Sequence, residues 1–289
     1  MQKLIRGASA EIAAQFLDGN ELPLTTAFPV TVTVTNDSGA ELESGEASPD
    51  DAHDAAFVYR LSSETLGSLA VLKARWEDSA GLVTTTFHTV VEARAFTLRQ
   101  LFEADPLLAN AERYSRTRLL SLRDWFEGVL DAAMGAPFLH TYARVIGHVH
   151  TPGHEIHTGA IYPKKVMAIS RTVGTSETPM NVEGMTLAAT PGGLVISSHH
   201  LAHGTYSLGV VSGIYPTPPL DIQEAGIDAV RSRMLESKSP VSARQTSMRT
   251  SEGDLLTFAS ASPDRPTGYP SVDAVIMRYA KLHRVPGVG

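Results

Sequence analysis

Hydrophobic and polar residues alternate with a period of two along the first third of the chain. Val30, Val32 and Val34 interleave with Thr31, Thr33 and Thr35, which predicts a half-buried strand of β-branched residues. Stretches 57–61, 69–76 and 82–91 read as further strands, and 62–67 as a short helix between sheets. Turn signals at Asp18-Gly19, Ser38-Gly39 and Ala80-Gly81 separate these elements. Short strands at such spacing, with no cysteine anywhere in the chain, predict a β-sandwich of the immunoglobulin-like kind without its disulfide, covering residues 1–94.

At Thr97 the period changes to 3.6. Thr97 stands as a cap before Leu98, Leu101 and Phe102, and Asp105 followed by Pro106 has the chemistry of a second helix start. Leu119, Leu122, Phe126, Val129 and Ala133 recur at spacings of three and four, while Arg116, Arg123, Glu127 and Asp131 fall largely off that stripe. Gly135 and Pro137 supply the stop. The pattern therefore predicts one helix over 106–134, a rod of roughly 40 Å at about 1.5 Å per residue, whose buried face needs helices from downstream.

After Pro137 come short β-prone runs at 142–150, 166–173, 180–187, 194–198 and 206–212, divided by turn clusters such as Thr151-Pro152-Gly153 and Pro191-Gly192-Gly193. They predict a β-rich insertion at about 142–212. Helices follow at about 219–235 and 270–281, the latter with a stripe at Val272, Val275, Ile276 and Tyr279, and a polar stretch with a short strand at 255–259 lies between them. Residues 282–289 are read as an extended tail. The expected fold class is α+β: an N-terminal immunoglobulin-like β-sandwich, then a helical core over 95–281 carrying the β-rich insertion.

Composition is that of an ordinary globular chain, 43% hydrophobic and 19% charged. No run of eighteen apolar residues and no apolar leader follows Met1, so the reading expects neither membrane nor export, and synthesis in a cytoplasm. The net charge of −7 is uneven: residues 1–96 carry 6 Lys/Arg against 14 Asp/Glu, and residues 97–289 carry 18 against 17. An acidic first part does not grip a phosphate backbone, which argues against sequence-specific nucleic-acid binding.

Histidines are the main chemical temptation. His148 and His150 share one side of a strand, His154 and His157 follow a Pro-Gly turn, and His199, His200 and His203 form a second group. Together they have the residue types of a zinc site. The run His154-Glu155-Ile156-His157 lacks the zincin spacing, however, and a surface or subunit contact accounts for the same histidines, so no metal and no cofactor is expected. The chain also lacks the Gly-x-Ser-x-Gly elbow, the phosphate loop and the dinucleotide fingerprint. Arg231 and Arg233 have the spacing of an anion clamp or of a helix face meeting Asp228 and Glu224.

Several local phrases, in this order of elements, resemble the head-to-tail connector, or adaptor, proteins of long-tailed bacteriophages, particularly those of actinobacterial hosts. Val-Thr-Val-Thr-Val-Thr at 30–35 with Trp76 closing a strand is similar to the immunoglobulin-like domain added in those phages. Residues 107–134 resemble the core's long first helix, 215–220 its Tyr and prolines before a helix, and Pro266-Thr267-Gly268 the phrase before its last helix. The Pro-rich junction at 216–219 departs from the Gly-rich turn common in the family.

The resemblance implies a structural, non-enzymatic virion protein of the neck. It would form a homo-oligomeric ring, twelvefold, beneath the portal protein, with a stopper or tail-completion protein docking below and DNA passing through without specific binding. Leu282, His283, Arg284, Val285 and Val288 are then expected to meet the portal, and Leu119, Leu122, Phe126 and Val129 to pack the ring. Two other classes are a metal-dependent enzyme built on the histidine-rich β region and a cell-surface adhesion module. Stoichiometric metal would mark the first and an export signal the second.

Overall fold

The Val-Thr alternation does what its period predicts: Val30, Val32 and Val34 are fully buried on one side of their strand. The computed structural model describes residues 2–50, 56–110, 113–158, 162–173, 176–187, 194–236, 247–249, 255–257 and 265–283. In chain order the first strands are β1 (Gln2–Ile5), β2 (Ala10–Gln15), β3 (Val30–Thr35), β4 (Glu41–Pro49), β5 (Ala56–Leu61), β6 (Val71–Asp78) and β7 (Val83–Val91). The helices α1 (Leu98–Ala104) and α2 (Arg116–Met134) follow. Next come β8 (Thr141–Val149), β9 (Gly153–His157), β10 (Pro163–Val173), β11 (Ser176–Met180), β12 (Met185–Leu187), β13 (Leu194–Leu201) and β14 (Gly204–Ser212). The chain continues through α3 (Leu220–Glu236), the hairpin strands β15 (Ser247–Arg249) and β16 (Leu255–Thr257), and α4 (Pro270–His283). The protein is thus a mixed α and β chain with a large, mainly antiparallel sheet and four α-helices among its described residues.

Two compact units divide it: a strand unit of residues 1–92 with 140–212, and a helical unit of 93–139 with 213–289. The expected insertion at 142–212 therefore groups with the N-terminal strands and not with the helices. Backbone pairing explains this, because the order β11-β10-β14-β8-β7-β6-β3-β4-β5-β2 is continuous, joined where Val91 opposes Thr141.

Within the strand unit, Ile12, Phe16, Phe57 and Leu61 from β2, β5 and their flanks share a core with Val32, Leu72, Ala74 and Trp76 from β3 and β6. β4 pairs with β3 along most of its length and with β5 at Ser48 and Pro49, so one strand serves both layers. A second core gathers Val149, Ile156, Ile169, Val195, Tyr206 and Leu208 from the later strands. Gly209 on β14 lies beneath the Tyr142 ring, in space that a Cβ would take. Residues 62–67 make hydrogen-bonded turns instead of the short helix expected, since Ser62 and Thr65 spend their hydroxyls on the Glu43 carboxylate.

The helical unit corrects the single long helix. Thr97 caps α1 as expected, in a reciprocal box with Gln100. Asp105 and Pro106, however, start only a four-residue 3-10 turn, Pro106–Ala109, and α2 begins at Arg116. The Asp105 carboxylate accepts from Leu107, yet Asn110 is extended and ends the turn after one round. Capping chemistry is local, so the same signal serves a turn or a long helix. Gly135, in the left-handed region at φ 67°, ends α2 as the sequence predicts. The α2 stripe packs with Ile222, Ala229 and Val230 of α3 and with Val272 and Ile276 of α4 in one core.

Candidate functional surfaces

Arg94 is buried in the helical unit against two carboxylates of α2. Its Nε donates to the Glu127 carboxylate at 2.8 Å and its Nη2 reaches Asp124, one helical turn away on α2. Glu127 also accepts from the Ala95 backbone N–H at 2.9 Å, which ties the segment entering α1 onto α2. Arg123 lies in the same turn, 8% exposed, with one long bond of 3.4 Å from Nη1 to the Phe96 carbonyl. Burial, then the like charge of Arg94, pushes its pKa down to about 10. The sequence pattern places Arg123 and Glu127 off the buried stripe. They are buried because residues 94–96 lie across that face, which a helical wheel does not register.

Two junctions fix the other helices. Tyr215, before α3, stacks its ring 5.1 Å from Phe138 and 5.9 Å from Tyr279, and its hydroxyl meets His283 Nε2 at 2.9 Å. Tyr279 donates to Asp221 at 2.8 Å, and its pKa is pushed up to about 12 by burial and then by that carboxylate. Before α4, the Thr267 N–H and hydroxyl both donate to buried Asp273, at 2.8 and 2.6 Å, and Tyr269 N–H donates back to Thr267. Arg231 pairs with Asp105 at 2.9 Å, not with Asp228 or Glu224, and Arg233 lies 4.0 Å over the Trp125 ring.

The residues expected to pack a ring lie along the face of α2 that meets α3 and α4. Leu119, Leu122 and Phe126 are buried within the core of the helical unit, and half-buried Val129 packs against it. Of the expected portal contacts, Leu282 is 70% exposed near the end of α4, and His283 belongs to the helix, not to an extended tail. Arg284, Val285 and Val288 lie outside the described residues, as does the Pro191-Gly192-Gly193 turn.

The histidines regroup across strands. His150 has His148 at 6.1 Å and His157 at 6.4 Å between ring centroids, while His154 meets His200 at 5.7 Å. Among the described residues no group of three or more His, Asp or Glu is placed to hold a metal ion. No helix among them is long and apolar enough to cross a membrane.

His88 was not singled out by the sequence. It lies buried on β7 with Nε2 2.9 Å from Thr86 Oγ1, and Thr86 also accepts from the Trp76 indole. Burial pushes its pKa down to about 4, from 6.5. The unfolded chain therefore takes up this proton first, and stability falls as pH drops through the window from about 6.5 to 4, by on the order of 3 kcal/mol. Urea midpoints measured across that window should fall more steeply for the wild type than for His88→Gln; parallel curves would show that His88 is not the source.

No family model matches the chain, and no curated protein matches it. Among solved structures it is similar to a chain in the neck of a native gene transfer agent particle computed with C12 symmetry, at a TM-score of 0.40 and 13% identity, covering 68% of this chain and 92% of that one. A chain in the virion of the native particle gives a TM-score of 0.37 at 14% identity, covering 61% and 81%. One in the neck of an empty particle computed with C6 symmetry gives 0.32 at 14%, covering 44% and 70%. At these scores and identities the likeness decides neither the fold nor the function.

Proposed function

We propose that the chain is a structural protein of a virion neck: a head-to-tail adaptor that forms a twelvefold ring beneath the portal and leaves a passage for DNA. In this reading residues 1–94 are an immunoglobulin-like domain and the helices are the adaptor core. A stopper or tail-completion protein docks below. The observation that carries the reading is the use made of two of the phrases on which the resemblance rests. Tyr215 seats the start of α3 against Phe138, Tyr279 and His283, and Thr267 seats the start of α4 through Asp273. Both phrases are junctions of the helical unit, where a shared architecture would leave its mark in sequence. The portal anchor begins at exposed Leu282 and runs through His283, Arg284, Val285 and Val288.

Binding to purified capsids that carry the portal but no neck tests this reading. The full chain should join them and appear as a ring in images averaged about the portal axis, whereas a chain lacking residues 284–289 should not join. Failure of the full chain to bind overturns the adaptor assignment, and equal binding by the truncated chain moves the anchor elsewhere.

A further inference from the structure

The end of α4 is tied to the chain that enters α3 by Arg278, Tyr279 and His283. Arg278 and Tyr279 both reach the Asp221 carboxylate, Tyr279 through its hydroxyl at 2.8 Å, and one turn later His283 Nε2 lies 2.9 Å from the Tyr215 hydroxyl. The His283 ring also stands edge to face with the Tyr215 ring, their centroids 5.5 Å apart. Helix ends fray unless something holds them, because their last carbonyls have no partner within the helix. Here the hold falls where the chain leaves α4 for the residues proposed to meet the portal. The Tyr215 hydroxyl is not needed to seat α3: its ring packs on Phe138 and Tyr279, and its backbone N–H donates to the Phe138 carbonyl at 2.9 Å. The Tyr279 hydroxyl is spent on Asp221 and does not compete for His283. Neighbouring residues point about 100° apart around a helix, and the two at this end divide accordingly. Leu282 is 70% exposed, while His283 is half-buried against Tyr215.

We propose that Tyr215 is a positioning residue for the portal anchor: through His283 it fixes the direction in which the chain leaves α4, so that Leu282 is presented outward and His283 is the latch, not a portal contact. The inference rests on the adaptor reading and divides its anchor into a part that touches and a part that aims. An exit that is already ordered has no freedom to lose on docking, and holding even one backbone residue in advance is worth about tenfold in affinity.

Full-length wild type, Tyr215→Phe, His283→Phe and the double variant test this by binding to purified capsids that carry the portal but no neck, by thermal unfolding, and by hydrogen exchange of each free chain. Each single variant should bind about tenfold more weakly, and the double variant no more weakly than either, because both changes remove the same bond. Melting temperatures should stay within about three degrees of wild type. Faster exchange in the single variants should be confined to residues 280–283. Losses that add in the double variant would mean that His283 meets the portal by itself and would overturn the proposal. So would a Tyr215→Phe chain that binds as wild type does, or one whose exchange rises throughout the helical unit, which would make Tyr215 a residue of the core alone. If wild type fails to join the capsids, the adaptor reading falls and exchange decides the rest: loosening confined to 280–283 supports Tyr215 as the hold on the α4 end, and unchanged exchange overturns it.

Discussion

Glu127→Ala should lower folding stability by about 3–5 kcal/mol, the range for removing one partner of a buried ion pair. The change strands the Arg94 guanidinium, whose side chain is 1% exposed, and leaves the Ala95 N–H without its acceptor. Asp124 does not compensate, because its carboxylate is 44% exposed and is held by a single contact to Arg94. Asp124→Ala should accordingly cost under about 1 kcal/mol. Chemical denaturation of the two variants checks the contrast, and equal losses would show that the pair is not the anchor of this segment. Arg94→Met combined with Glu127→Leu should recover most of the loss, since the penalty lies in the uncompensated charge and not in missing attraction.

Trp76→Ala should be of similar size, about 3–5 kcal/mol, for a different reason. The indole is fully buried between the two layers of the N-terminal strands, and its Nε1–H is satisfied by Thr86 at 3.0 Å. Truncation opens a cavity that the β-branched side chains of β3 are too stiff to fill. Trp76→Phe should cost distinctly less, because it keeps most of the ring volume and loses mainly the bond to Thr86. Only one other tryptophan, Trp125, is present, so intrinsic fluorescence of the Ala variant reports on α2 while circular dichroism reports on the strands. A loss below about 1 kcal/mol for Trp76→Ala would mean that this core is loosely packed.

What the sequence made legible is the chemistry that acts within a few residues. The alternation at 30–35, the Thr97 box and the Gly135 stop each sit where the pattern places them, because each depends only on its neighbours. β2 and β4 went unread for the converse reason. β2 is rich in alanine and β4 in glutamate and serine, and both are strands by virtue of what they pair with. The start of α2 is not legible because Asp105 and Pro106 announce a beginning without stating how far it runs. The polar cluster around Arg94 was hidden altogether, since Arg123 and Glu127 look like a solvated helix face until residues 94–96 are laid over them. Spacings of one, three and four among Arg123, Asp124 and Glu127, with Arg94 just upstream of the helices, were the available signal. The histidines regrouped for the same reason, as His150 and His157 meet only through the pairing of β8 with β9.

The interleaving of the two units sets the order in which the chain can fold as it is made. The strand unit closes when β14 is complete, and α3 and α4 are still to be synthesised at that point. Until they emerge, Leu119, Leu122 and Phe126 of α2 lack the side chains of α3 and α4 with which they share a core. Translation therefore passes through an interval in which half of the molecule is finished while an apolar helix waits without a cover. Slowing the ribosome between codons 212 and 283 lengthens that interval and should favour chaperone capture or aggregation, whereas slowing it before codon 92 should not.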